Sequence, residues 1–259
     1  MRPEVEEAIG ARLAGRNVQR VLDVGGVREM SRYATHIIDI MTRDAAAAKW
    51  GNYFVDRSIP LENWAVRDIC DPAPFPYPDK YFDFAIASHV LEDVRDPVRV
   101  CRELSRVAKA GFVETPSMYV ELTRGIDPHG RGYIGYYHHR WLVRLADGGL
   151  EFLFKPHFLA ASKRFHFARG YAERRIDPGR QYVSLFWEDE IRACERVIVV
   201  REDMEDAIES VIRELEGDTL AMKLARYRRY GWQLGSRAVA KMGLRDALLP
   251  AAGWVSRWL

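Results

Sequence analysis

The sequence predicts an α/β protein: a Rossmann-like, doubly wound, mostly parallel seven-stranded sheet with an insertion and C-terminal helices. Three observations predict it. Short apolar, β-branched runs alternate with helix signals from Val18 to Glu114. The run Tyr81–Ser88 (YFDFAIAS) is apolar on both faces apart from Asp83, as central parallel strands are. Acids or small polar residues stand where several of these runs end, and open α/β sheets hold their ligands at the carboxyl ends of the strands.

The elements follow in order. Residues 3–15 carry Val5, Ile9 and Leu13 at helical spacing, a short amphipathic helix. Val18–Val24 is a first buried strand and Ala34–Ile40 a second. The connection between them leaves room for a helix of one or two turns at most. Asp44–Trp50 (DAAAAKW) reads as a helix opened by an acid, and Trp64–Ile69 as a third strand. After Tyr81–Ser88, Asp96 caps a helix whose first residue is Pro97, with Val98, Cys101, Leu104 and Ala108 facing inward. Phe112–Glu114 is a fifth strand.

Ser117 to about Gly179 is rich in Gly, His, Arg and aromatics and reads as an insertion over the carboxyl edge of the sheet, where loops carry specificity. Gln181–Trp187 and Arg196–Val200 read as an antiparallel pair that completes the seven strands. Asp203–Glu216 is a helix stopped by Gly217. The expected division is residues 1–202, with the insertion at about 118–179, followed by a helical extension over 203–259.

The chain of 259 residues, 48% apolar and 29% charged, is long enough for a full core and has the composition of a soluble globular protein. Cys70, Cys101 and Cys194 are sparse and far apart, which argues against a disulfide framework or a zinc site and suits a reducing compartment. The N-terminal MRPEVEEAIGARLAG has no apolar run that could serve as a signal sequence, and nothing approaches a membrane span. A cytoplasmic location is the expectation. From Thr219 to Leu259 eight basic residues face a single acid, Asp246, and are interleaved with Trp232, Trp254, Trp258 and several leucines. Such a tail either docks on the protein or a second subunit, or meets an anionic surface. The surface reading would place the protein at the inner membrane face. No RNA-binding motif is present, so nucleic acid is not expected. A homo-oligomer stays open.

Four strand ends carry candidate chemistry. VLDVGG (Val21–Gly26) ends the first strand with Asp23, Gly25 and Gly26. Glycines there let a nucleotide sit against the backbone, although a simple strand-to-helix turn also wants glycine. Asp39 of THIIDI ends the second strand, followed by Ile40; it is either a ribose-binding acid or a solvated turn aspartate. Asp68 and Ile69 stand at the end of the third strand. Ser88-His89-Val90-Leu91-Glu92-Asp93 follows the fourth. Histidine suits proton transfer near neutrality, which makes His89 a candidate beside its plainer role as a structural hydrogen-bonder. The tandem His138-His139 adds two more candidates. Adjacent residues on regular structure cannot both face one site, so one of the two is expected to act. No carboxylate stands at ligand spacing beside them, and no metal is expected.

Taken together, VLDVGG, IIDI, RDICDPAPFPYPDKYFD and SHVLED resemble the nucleotide half of class I S-adenosylmethionine-dependent methyltransferases. The resemblance covers roughly residues 18–117, and more loosely 118–200. It implies S-adenosylmethionine as cofactor, held by Asp23, Gly25, Gly26, Asp39, Ile40, Asp68, Ile69, Ser88 and His89. His89, His138 and His139 are then the catalytic candidates. The chain departs from the family in two places. Val27, Arg28 and Glu29 stand where later glycines fall, and Asp93 stands where relatives carry histidine. Glu114–Trp141 resembles a branch linked loosely to bacterial glycan or surface-polymer modification, which implies a small-molecule or glycan-type acceptor; oxygen is the expected atom, with nitrogen and carbon left open. The alternative is a non-catalytic binding protein that keeps the fold. A dehydrogenase-like dinucleotide fold has no counterpart for SHVLED.

Overall fold

Five short apolar runs become parallel neighbours in one sheet. In the computed structural model, which describes residues 1–51, 54, 58–128, 132–217 and 224, they are β1 (Val21–Val24), β2 (His36–Asp39), β3 (Trp64–Val66), β4 (Phe84–Ser88) and β5 (Ala110–Pro116). Two strands of an inserted hairpin, β6 (Trp141–Ala146) and β7 (Gly149–Phe154), come next in the chain, and β8 (Tyr182–Glu188) and β9 (Ala193–Glu195) follow. The main sheet has the order β3-β2-β1-β4-β5-β8. Only β8 is antiparallel, paired with β5 from Ala110↔Glu188 to Pro116↔Tyr182. The strand order reverses between β1 and β4, so a doubly wound crevice opens at their carboxyl ends. The expected α/β class holds.

The sheet has six strands among the described residues, where the sequence predicts seven. Arg196–Val200 forms no strand, and Val197, Val199 and Val200 are exposed. The residues just before it pair as β9 with β7 in a second sheet, β6-β7-β9. Tertiary pairing overrides the β-branched composition there.

The insertion also differs from expectation. The loop-like stretch contains the β6–β7 hairpin, turned at Asp147 and Gly148 with φ of 50° and 74°. Asp-Gly between alternating apolar residues is a turn signal that matches this geometry.

Helices α1 (Pro3–Leu13), α2 (Arg43–Trp50) and α3 (Pro97–Val107) pack around the main sheet. Thr42 caps α2 through the Ala45 N–H, and Asp96 caps α3 through the Arg99 N–H at 2.9 Å. On α3 the buried stripe is Val100, Cys101, Leu104 and Val107, while Val98 is only partly buried. Each such side chain contributes about 1.5–3 kcal/mol on burial. Between β1 and β2 there is no helix. The buried Glu6 of α1 instead accepts hydrogen bonds from Ser31 Oγ and the Arg32 N–H, which fixes the turn.

Two four- and five-residue helices, α4 (Met118–Glu121) and α5 (Tyr171–Arg175), sit in the inserted region, and α6 (Arg201–Glu216) closes the described part. The chain divides into two compact units, 1–211 and 212–259. The basic, tryptophan-bearing tail lies outside the described residues apart from Leu224. Among the described residues no helix is long and apolar enough to cross a membrane.

Candidate functional site

The crevice end of each parallel strand presents a polar residue. Asp23 on β1 is 1% exposed. Its Oδ2 accepts the Ser31 N–H at 2.8 Å, and Oδ1 has no hydrogen-bond partner among the described residues. Burial pushes its pKa up to about 7 against that one bond. Gly25 adopts φ +67°, and a Cβ there would fall 2.5 Å from Val90 Cγ2. A Cβ on Gly26 would fall 2.1 Å from Asp23 Oδ1. Glycine is therefore required at both positions, and not merely convenient for a turn.

Asp39 on β2 is buried, and its Oδ1 accepts the Met41 N–H at 2.8 Å. Burial raises its pKa against hydrogen bonds from the backbones of Met41, Val27 and Ile40. Val27 stands in the place of a glycine, and its backbone N–H helps hold the acid, as any residue's would there. Ile40 beside it is 70% exposed, an apolar surface open to a flat ring. Past β3, Asp68 accepts the Cys70 N–H at 2.8 Å and Arg95 Nη1 at 2.7 Å. These bonds, the backbone one first, hold its pKa below the usual carboxylate range. Ile69 between them is buried.

A different arrangement follows β4. Ser88 ends the strand, and His89 takes a left-handed backbone with φ +55° while its N–H bonds the Glu114 carbonyl. Its ring lies between two carboxylates, with Nδ1 3.5 Å from Glu92 and Nε2 3.6 Å from Glu114. Burial lowers the imidazole pKa, but the two carboxylates outweigh it and bring it to about 9. Glu114, fully buried on β5, also takes Arg2 at 2.6 Å and Ser184 Oγ at 2.8 Å, and these partners keep its pKa low despite burial.

The insertion completes the cluster. His139 Nδ1 meets Glu121 of α4 at 2.7 Å, and Lys155 Nζ bonds the other oxygen of Glu121 at 2.7 Å. Nε2 of His139 faces Asp93 at 3.7 Å and Glu92 at 4.0 Å, while His138 faces the second Asp93 oxygen at 3.8 Å. Burial lowers the His139 pKa, but Glu121 foremost raises it overall. The tandem histidines therefore converge on one carboxylate, against the expectation that only one could. They lie on an irregular segment, where the alternation of a strand does not apply.

The structure thus brings together His89, His138 and His139 through Glu92, Asp93 and Glu121. Asp23 lies on the same parallel sheet, one strand over from Ser88. Sequence reasoning missed the buried acids Glu92, Glu114 and Glu121 and the cation Lys155; the only local signal was the acidic pair Glu92-Asp93. Two surface grooves of about 610 and 460 Å³ lie elsewhere, along Arg196–Ser210 and around Arg95, Trp141 and Glu195.

Residues 22–112 match the family model of a methyltransferase domain, about a third of the chain. No curated protein matches the chain. Among solved structures, it is similar to the cyclase SpnF at 24% identity, over 44% of this chain and 45% of that one, with a TM-score of 0.34. It is similar to a SAM-dependent methyltransferase from Aquifex aeolicus at 20% identity, over 44% and 64% of the two chains, with a TM-score of 0.30. For phosphoethanolamine N-methyltransferase 2 from Haemonchus contortus, crystallised with S-adenosyl-L-methionine, the identity is 17%, the coverage 44% and 28%, and the TM-score 0.34. The chain spans less than two thirds of the length of each. The matched segment 22–112 holds nearly all of β1 through β4 and the start of β5, the parallel part of the doubly wound sheet.

Proposed function

We propose that the chain is an S-adenosylmethionine-dependent methyltransferase that acts on the oxygen of a small-molecule or glycan-type acceptor. The observation that carries this reading is the row of Asp23, Asp39 and Asp68 at the ends of adjacent strands, inside the segment that matches a methyltransferase domain. The residues fit the cofactor. Asp23 Oδ1 is a buried acceptor without a donor, suited to the amino group of the methionine part. Gly25 and Gly26 leave the space that a side chain would fill. Asp39 offers a carboxylate to ribose hydroxyls, Ile40 an apolar face to adenine, and Asp68 with the Ile69 backbone the polar edge of the ring. Ser88 and His89 sit at the switch point, where the methionine end would lie.

S-adenosylmethionine supplies an electrophilic methyl group. The chain's own task is to align an acceptor oxygen and take up its proton. In this reading His89, held charged by Glu92 and Glu114, fixes the local potential and does not act as base. His139, pinned by Glu121, positions Asp93, and the exposed imidazole of His138 receives the proton. Tyr133 and Tyr137, both exposed with ring centroids 6.0 Å apart, support a ring-bearing acceptor such as a sugar.

Titration calorimetry with S-adenosylhomocysteine tests the reading. Micromolar affinity is expected. No heat from a folded protein would overturn it in favour of a non-catalytic binding protein on the same fold. Substitution of later glycines by Val27, Arg28 and Glu29 is the feature that favours that second reading.

A further inference from the structure

At the mouth of the charge network three side chains of ligand type converge. His138 Nε2 stands 3.8 Å from Asp93 Oδ2, and His139 Nε2 stands 3.7 Å from Asp93 Oδ1. One donor atom from each of the three residues lies within 4.8 Å of the other two. These separations are too long for hydrogen bonds, and Asp93 Oδ1 is buried with no hydrogen-bond partner among the described residues.

A second observation is independent of that spacing. Glu92 is 1% exposed, its Oε1 stands 3.5 Å from His89 Nδ1 and 4.0 Å from His139 Nε2, and its Oε2 has no hydrogen-bond partner among the described residues. Buried carboxylates left without donors are costly, and natural structures pair them or place them on a metal. His139, moreover, commits Nδ1 to Glu121 at 2.7 Å and presents Nε2 to the cluster. Carboxylates outside the ligand set orient metal-binding histidines in this way.

We propose that Asp93, His138 and His139 bind a divalent transition-metal cation, with Glu121 orienting His139 and Glu92 supplying outer negative charge. Two imidazoles and a carboxylate suit Zn²⁺, Co²⁺ or Mn²⁺ better than Mg²⁺ or Ca²⁺, which take oxygen ligands. Tetrahedral ligands at about 2.1 Å stand roughly 3.4 Å apart, so binding must draw together atoms that now lie up to 4.8 Å from one another, by as much as about 1.4 Å. His138, whose side chain is 47% exposed on an irregular segment, has room to move. Three protein ligands leave a fourth position open. The sequence predicts no metal because the acid that completes the site comes from another strand end.

The inference does not depend on methyl transfer. Cation binding and the proton-acceptor role given to His138 exclude one another, so the experiment reads binding and not turnover. The full chain, stripped with a chelator and free of nucleotide, is titrated with Co²⁺ by visible absorption and with Zn²⁺ by calorimetry. One equivalent is expected, weakened at least tenfold by His138→Ala and by Asp93→Asn, and about 10–100-fold by Glu121→Gln. Cys194→Ser should bind as the parent does, which excludes the exposed thiol as the ligand. Absence of binding at millimolar Co²⁺ and Zn²⁺, or affinity unchanged in His138→Ala, overturns the site. Should Asp93→Asn fail to fold, the exposed His138 variant still decides. A chain that binds the cation but not S-adenosylhomocysteine sinks only the methyltransferase reading, and the reverse result sinks only this one.

Discussion

Nδ1 of His139 lies 2.7 Å from Oε1 of Glu121, and no water-accessible surface remains on that glutamate. A carboxylate can only accept there, so the imidazole donates from Nδ1 and its other nitrogen is aimed at Asp93 and Glu92. One hydrogen bond between α4 and the segment leading into β6 thereby sets the direction of the ring that faces the crevice.

Removing that carboxylate takes from Lys155 and His139, with side chains 9% and 6% exposed, the buried acid that each meets at 2.7 Å. Glu121→Ala should therefore cost about 3–5 kcal/mol in urea unfolding, the range for breaking a buried pair. Glu121→Gln should cost less, because the amide oxygen still accepts. A loss under about 1 kcal/mol for the alanine variant would mean that water reaches these groups.

His89 should titrate near 9, followed by NMR of its ring protons. Its folded pKa stands above the unfolded value, so its contribution to stability is full below about 6.5 and fades as pH rises through about 9. Glu114→Gln should bring the titration back toward the ordinary histidine range. A midpoint near 6.5 in the parent protein would show that Glu92 and Glu114 do not hold its charge.

Asp68→Ala should weaken S-adenosylhomocysteine at least tenfold, about 1.4 kcal/mol, while the thermal unfolding midpoint moves little. The carboxylate is exposed enough to reach a ligand, with its side chain 38% accessible. Unchanged affinity would remove Asp68 from the cofactor site.

Acid stability should depend on Asp83. Its carboxylate accepts the N–H groups of Gln19 and Arg20 and pairs with Lys109 at 2.8 Å. Burial works against the charge, but these partners hold the pKa at about 2. With the folded value depressed, its contribution is full above about 3.9 and is lost as pH falls toward 2. Asp83→Asn should flatten the loss of stability between those limits by roughly 1–2 kcal/mol, since Lys109 is largely exposed and the pair is screened. An unaltered slope in denaturant titrations at pH 2–5 would contradict this.

The strand ends were legible because each is a local pattern. Val21–Val24 carries Asp23 one residue from its end, His36–Asp39 and Phe84–Ser88 are closed by a polar residue, and the Asp96-Pro97 start of α3 needs only two adjacent side chains. The site's second half was not legible. Glu92, Glu114, Glu121, His139 and Lys155 come from four separate stretches, and only strand pairing and the folded insertion place them together. The missed hairpin differs in kind: the Asp147-Gly148 turn was visible, but the aromatic, glycine-rich context around it drew the reading toward loop. Arg196–Val200 shows the opposite error, where strand composition found no neighbour to pair with.

The inserted hairpin is stitched to the sheet end at more than one point. The Arg140 N–H bonds the Glu92 carbonyl at 2.8 Å, Trp141 Nε1 bonds the Val94 carbonyl at 2.7 Å, and Lys155 reaches Glu121. It cannot swing like a flap without tearing buried charges apart, so its opening shares the free energy of the core rather than that of a surface loop. Under the methyl transfer proposed above, any change of acceptor made by altering the hairpin must also re-balance the charges beneath it, and single changes there will more often weaken the protein than redirect it.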